Sequence, residues 1–168
     1  MTQSNKKEGL THVDTDGKAH MVDVGEKPAM LRTAVATGVV TVSDLCARRI
    51  AENNIKKGDV LATAQLAGIM AAKRTAELIP LCHPLRIDHI EVDCQLAGSQ
   101  VKITATVSAQ ERTGVEMEAL TAVTVAALTI FDMGKAVDPA MVIGPVQVEF
   151  KLKDNQLSFD RSKINGPD

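Results

Sequence analysis

The sequence predicts an α+β fold of the ferredoxin-like split βαβ kind, with an antiparallel sheet carrying its helices on one face. Three observations point to it. The elements run in the order strand, helical region, strand, strand, helix, strand. Residues 87–96 and 101–107 alternate apolar and polar around Gly98-Ser99, as the two arms of a β-hairpin do. Residues 114–136, GVEMEALTAVTVAALTIFDMGKA, form one long apolar segment of helical composition. A sheet face left uncovered by two helices would favour assembly.

Residues 1–9 are polar and read as a disordered tail, 10–160 as a single domain, and 161–168 as a C-terminal tail. Residues 11–24 hold short extended pieces around a turn at Asp16-Gly17, and 30–42, rich in β-branched residues after Pro28, read as a strand. Ser43 is a plausible N-cap for a short helix through Glu52. Gly58-Asp59 opens a longer helix through Glu77, which Pro80 stops. Thr113-x-x-Glu116 fits a capping box at the start of the long apolar helix, and that helix ends before Asp138-Pro139. Residues 141–151 supply a further strand, which Asp154-Asn155 turns into a short last one.

At 168 residues the chain suits one domain, and 45% hydrophobic residues can build its core. A net charge of −2 argues against a general polyanion binder. Trp and Tyr are absent and Phe occurs three times, so the stacking platforms of nucleic-acid binders are nearly excluded. Cys46, Cys82 and Cys94 form no C-x-x-C pair, which fits a reduced compartment. The start MTQSNKKEGL has no apolar signal core and no uninterrupted apolar run reaches spanning length, so a cytoplasmic protein without a membrane partner is expected. There is no GxxxxGK[ST] or GxGxxG loop, so any phosphate must be held by side chains.

The long helix carries charge only at its ends, Glu116 and Glu118 in the first turns and Asp132 and Lys135 in the last. At ~1.5 Å per residue the two sets stand roughly 28 Å apart, too far to share a small-molecule site within one chain. If both ends are functional, antiparallel pairing of two subunits is the economical way to join them. Glu116 has a structural explanation as the Glu of a capping box, whereas Glu118 has none and faces roughly 200° away around the axis. Asp132 and Lys135 stand at i and i+3, able to pair on one face; the alternatives are an ordinary surface ion pair or a desolvated lysine tuned for acid-base work. In LIPLCHPL, residues 78–85, two prolines stiffen the backbone around Cys82 and His83, which either preorganises a ligand-facing donor or makes a plain structural turn. A metal site of Cys82, His83, Glu116 and Glu118 matches no zinc spacing, and none is expected. Arg32, Lys57, Lys73, Arg74, Arg112 and Lys151 are scattered basic residues that matter only if folding gathers several into one anion pocket.

MVDV at 21–24, KGDV at 57–60, AGI-x-AAKRT at 67–75, LIPLCHPL at 78–85, TGVEMEALTAV at 113–123 and ALTIFDMGKAVD at 127–138 together closely resemble the MoaC family, over about residues 10–153. The resemblance implies a ferredoxin-like subunit in a homohexamer, a trimer of dimers, with sites between subunits. It implies conversion of 3′,8-cyclo-7,8-dihydroguanosine 5′-triphosphate to cyclic pyranopterin monophosphate and diphosphate, in molybdenum cofactor biosynthesis. No cofactor is implied, and an upstream radical SAM cyclase would supply the substrate. It assigns catalysis to Asp132 and Lys135, and substrate binding to Leu81, Cys82, His83, Met117 and Glu118. Asp23, Arg32, Lys57, Lys73, Glu116 and Lys151 are implied as further site members. Two departures stand out: Gly134 where many relatives have Cys, and LKDNQLSFDR after Lys151 in place of a Lys- and Gly-rich loop. The competing expectation is a non-catalytic ferredoxin-like oligomer that binds a phosphorylated ligand.

Overall fold

A computed structural model of the chain describes residues 18–164. The elements are β1 (Met30–Thr41), α1 (Asp44–Ala51), α2 (Val60–Ala72), α3 (Thr75–Leu78), β2 (His89–Ala97), β3 (Gln100–Glu111), α4 (Glu116–Gly134), β4 (Val142–Lys153) and β5 (Gln156–Asp160). The strands form one five-stranded antiparallel sheet in the order β2-β3-β1-β4-β5. Its first four strands have the order and direction of a split βαβ fold, with β5 added at the edge.

Alternation on the central strands decides which face the helices cover. Ala34, Ala36 and Val40 of β1 and Val101, Ile103, Ala105 and Val107 of β3 are buried, and α4 packs on them with α2 alongside. The other face carries Thr33 opposite Ser108 and Thr37 opposite Thr104, a hydroxyl-rich, half-buried surface. Gly68 of α2 lets the helix pair close up: a Cβ there would stand 2.9 Å from the Ala122 carbonyl oxygen of α4.

By length and composition α4 could cross a membrane. Its position says otherwise, because Ala119, Ala122, Val123, Ala126, Ala127 and Ile130 are fully buried between α2 and the sheet. Each such aliphatic side chain of Val or Ile size adds roughly 1.5–3 kcal/mol. Apolar character here reflects a core helix packed on two sides.

The helix boundaries differ from the sequence expectation in two places. The helix expected from Gly58-Asp59 through Glu77 is split: Asp59 caps α2, accepting from the Ala62 N–H at 3.0 Å, but α2 ends at Ala72 and α3 begins at Thr75. The buried Thr75 hydroxyl donates to the Ala72 carbonyl at 3.0 Å, offering that acceptor a partner outside the helical ladder. The capping box at Thr113 does not form either. Val115 is the N-cap of α4 and makes no side-chain cap, while the Glu116 carboxylate turns to Lys151 at 2.9 Å, a charge-assisted contact stronger than a neutral cap.

The hairpin turn at Asp154-Asn155 has φ of 47° and 61°, the left-handed pair a two-residue turn requires. Where a tail was expected from 161, Arg161–Lys163 form a 3-10 turn, and the Arg161 Nε donates to the Val148 carbonyl at 2.7 Å. The expected N-terminal tail, the turn at Asp16-Gly17 and the last residues, 165–168, lie outside the described residues.

Candidate active site

The unbroken α4 divides the expected site residues into two groups. At its N-terminus a cavity of about 480 Å³ is lined by Leu81, Cys82, His83 and Leu85, by Thr113, Gly114, Glu116, Met117 and Glu118, and by Val22, Val24 and Lys27. The break between α2 and α3 brings the 81–83 loop here, and it brings Lys73 to an adjoining hollow that Glu118 also borders. On the other flank Arg32, Lys151, Glu116 and Ser158 line a small pocket of about 80 Å³. There the Arg32 Nε is buried without a hydrogen-bond partner among the described residues, a donor left open for an acceptor from outside the chain. A Cβ at Gly114 would meet the Glu116 carboxylate, so a side chain there would displace that flexible group from its place beside Lys151.

Glu116 and Glu118 border the same cavity from different sides and in different states. Glu116 is paired with Lys151. Glu118 is 4% exposed, and its burial, with a further push from the neighbouring Glu116 charge, raises its pKa to about 7. Burial, then the nearby Glu118 charge, raises the Cys82 thiol as well, so it stays protonated near neutrality.

This has a measurable consequence for stability. Because the folded value of Glu118 lies above its ordinary 4.5, its contribution is complete below that pH and is lost as pH rises through about 7. Glu118→Gln should therefore flatten the fall in stability over this range. By pH 8 it should exceed the wild type by on the order of 2–3 kcal/mol in chemical denaturation, while matching it near pH 4.5. Parallel pH profiles for the two proteins would show that the carboxyl is not desolvated.

The second group sits at the far end of α4. Lys57 Nζ lies 2.6 Å from one Asp132 oxygen and Lys135 Nζ 2.8 Å from the other; Lys57 also donates to the Asp132 carbonyl at 2.9 Å. Of the two alternatives for the Asp132–Lys135 pair, a surface ion pair or a desolvated lysine, the exposure fits the first: the side chains are about half exposed, at 49%, 56% and 55% for Lys57, Asp132 and Lys135. Hydrogen bonds from Lys135 and then Lys57 hold the Asp132 carboxyl down at about 2. It remains ionised as pH falls until about that value, so it anchors two ammonium groups and does not exchange protons near neutrality.

Just after Lys135, Asp138 accepts from the Ser43 N–H at 2.6 Å and the Ala140 N–H at 3.1 Å, fastening the helix end to the start of α1. Gly134 lies in the same layer, where a Cβ would meet Met141 Cε at 3.1 Å and Cys46 Sγ at 3.3 Å. Met141 is flexible and can give way, and Ala in place of Gly inside a helix gains ~1 kcal/mol. Gly134→Ala is thus expected to keep activity and to change stability by less than about 1 kcal/mol in thermal melts. A large loss of turnover in a variant that melts like the wild type would mean that the backbone itself must be approached there.

Asp23 lies on the 22–27 strap beside this cavity, accepting from the Gly25 N–H at 2.8 Å. Sequence reasoning missed Lys27, Thr113 and Gly114 as cavity residues; the one signal for Lys27 was its place before Pro28, in the segment following MVDV. Among the described residues no three His, Cys, Asp or Glu side chains gather as a metal set would.

Comparison with known proteins places the chain. Residues 21–153 match the model of the MoaC family. A cyclic pyranopterin monophosphate synthase of Streptomyces griseus is 52% identical over 159 residues, 95% of this chain and 90% of the relative. One from Roseiflexus sp. is 57% identical over 141 residues, 83% and 89% of the two chains. Cyclic pyranopterin monophosphate synthase 2 of Mycobacterium tuberculosis is 54% identical over 142 residues, 84% and 85%. With the family model matched from the strap through β4 and relatives this close over most of the chain, the protein belongs to the MoaC family.

Proposed function

We propose that this chain is a cyclic pyranopterin monophosphate synthase, a lyase of molybdenum cofactor biosynthesis that converts the cyclised dihydro-GTP to cyclic pyranopterin monophosphate and diphosphate. Relatives of that name, at 52% and 57% identity across most of their own length, carry the assignment. The chemistry present suits the reaction. Diphosphate departure builds negative charge, which the Lys57 and Lys135 ammonium groups held on Asp132 can stabilise. Arg32 and Lys151 offer cations at the other group, and the cavity walls at Leu81, Met117 and Leu85 offer an apolar bed for the ring system.

The catalytic role falls to Lys135 and to Asp132 as its anchor; Leu81, Cys82, His83, Glu116, Met117, Glu118, Arg32, Lys57, Lys73, Asp23 and Lys151 bind substrate. Because α4 keeps the two groups apart, the complete site is built from two subunits of a hexamer with ferredoxin-like protomers. Apolar side chains on the outside of the helix layer support such assembly, Leu66 being 58% exposed, Met70 55% and Leu128 54%. The upstream enzyme is a radical cyclase that delivers the cyclised nucleotide. The decisive test is incubation with that substrate, monitored for released diphosphate and for an oxidisable pterin. A protein that binds the substrate without producing either is the non-catalytic oligomer instead.

A further inference from the structure

Among the described residues Glu118 and Asp138 are the two buried carboxylates. Glu118 lines the cavity at the start of α4, whereas Asp138 lies beyond the other end of the helix and spends both its oxygens on backbone. Asp138 Oδ2 accepts from the Ser43 N–H at 2.6 Å and Oδ1 from the Ala140 N–H at 3.1 Å. These bonds, the one from Ser43 first, hold the carboxyl below the usual carboxylate range against the opposing effect of its burial. It is therefore ionised at neutral pH, at the N-terminus of α1, where a negative charge is favoured.

The Lys57–Asp132–Lys135 cluster has no core of its own to hold it, since all three side chains are about half exposed. It is assembled from two segments: Asp132 and Lys135 stand on the last turn of α4, and Lys57 on the turn that follows α1. Among the described residues α1 packs on no strand or other helix extensively, although Cys46, Ala47 and Ile50 are buried along one side. Its end leads through the buried Ile55 to Lys57, with the Gly58 N–H donating to the Ile55 carbonyl at 2.9 Å. Its start is fastened by Asp138. That residue comes one turn after Lys135, its own N–H donating to the Gly134 carbonyl at 3.0 Å while the Lys135 N–H donates to Phe131 at 2.9 Å. One buried carboxylate thus joins the segment that carries Lys57 to the segment that carries Asp132 and Lys135.

We infer that Asp138 is a positioning residue for this cluster, clamping the start of α1 to the turn after α4 so that both ammonium groups reach one carboxylate. The kinetic consequence rests on the functional reading above; the geometric one does not. Removing the carboxylate leaves two backbone donors without their acceptor and frees the two segments to part, and a misplacement of ~1 Å at reacting groups costs on the order of 10²-fold in rate. Asparagine keeps the volume and one acceptor oxygen, so it can hold one of the two bonds.

The test compares wild-type, Asp138→Ala and Asp138→Asn protein in two ways, well below the melting point of each. Steady-state turnover of the cyclised dihydro-GTP should show kcat for Asp138→Ala lowered roughly 10- to 100-fold, with KM changed far less because the cavity at the start of α4 is untouched. Asp138→Asn should fall between it and the wild type. Trace acylation of lysines, read by mass spectrometry with the exposed Lys102 as reference, should show Lys57 and Lys135 more reactive in Asp138→Ala by about two-fold or more, as ammonium groups released from Asp132 would be. Unchanged labelling of both lysines in the folded variant overturns the inference whatever the kinetics, and so does a kcat within about two-fold of an active wild type. If Asp138→Ala does not fold, Asp138→Asn decides by the same two criteria. A wild type that turns over no substrate defeats the functional reading alone, and the labelling still judges the clamp.

Discussion

Lys135→Ala is expected to reduce turnover by ~10²–10⁴-fold while leaving fold and assembly intact, the loss typical of removing a positioned acid or base. The reason lies in how protons are distributed across the Lys57–Asp132–Lys135 cluster. Asp132, held at about 2 by its two lysines, is fully ionised at neutral pH and too weak a base to accept a proton from substrate. The groups that carry protons there are the ammonium groups, 2.6 and 2.8 Å from its oxygens. Lys57 is tied twice to Asp132, through the carboxylate and the backbone carbonyl. Lys135 has a single tie and remains half exposed, so it is the freer of the two to meet substrate. Truncating it removes a proton donor and acceptor without opening a core cavity, because the side chain stands outside the packed layer. Turnover measured by diphosphate release, beside light scattering and a thermal melt, separates the chemical loss from a structural one. Near-normal kcat in Lys135→Ala would move the chemistry to Lys57 or to the Glu118 end.

Much of this arrangement could be read from residue patterns, and the failures have physical causes. The hairpin at Gly98-Ser99 was legible because alternation fixes which side chains point inward, and β3 simply runs on to Glu111 as the same alternation continues. The Ser43 cap was legible because its oxygen has a local task, accepting from the Cys46 N–H at 3.3 Å. The Thr113 capping box failed because the deciding partner, Lys151, lies on a strand distant in sequence, and local spacing cannot register it. The break before Thr75 was hidden for a similar reason: a helix-compatible run, AAKRTAEL, is interrupted by a buried hydroxyl. In the site, the Asp132–Lys135 pair followed from i, i+3 spacing alone. Lys57 joining it, and Lys27 bordering the other cavity, depend on loops whose placement only the packed fold determines.

Mixing Glu118→Gln with Lys135→Ala protein is expected to restore activity that neither has alone. Glu118 and Asp132 are separated by 14 residues of continuous helix, about 21 Å along its axis, so one chain cannot bring both ends of α4 to one substrate. Glu118→Gln should be inactive or nearly so, because the amide keeps the volume of the side chain but removes the carboxyl that, on the wall of the cavity beside Met117 and His83, is proposed to bind substrate. If each site joins one subunit's Glu118 end to another's Lys135 end, random reassortment of equal amounts leaves about a quarter of the sites with both wild-type groups. Another quarter carry both lesions and the remainder carry one. Activity after exchange should therefore approach a quarter of wild type, rising with time as subunits trade places, and it should not appear when the subunits are cross-linked before mixing. Mass-tagged subunits report the exchange independently of turnover. Complete exchange with no recovered activity would mean that both residues serve one chain's pocket, which an intact α4 does not permit, and the two-subunit site would have to be abandoned together with the continuous helix on which it stands.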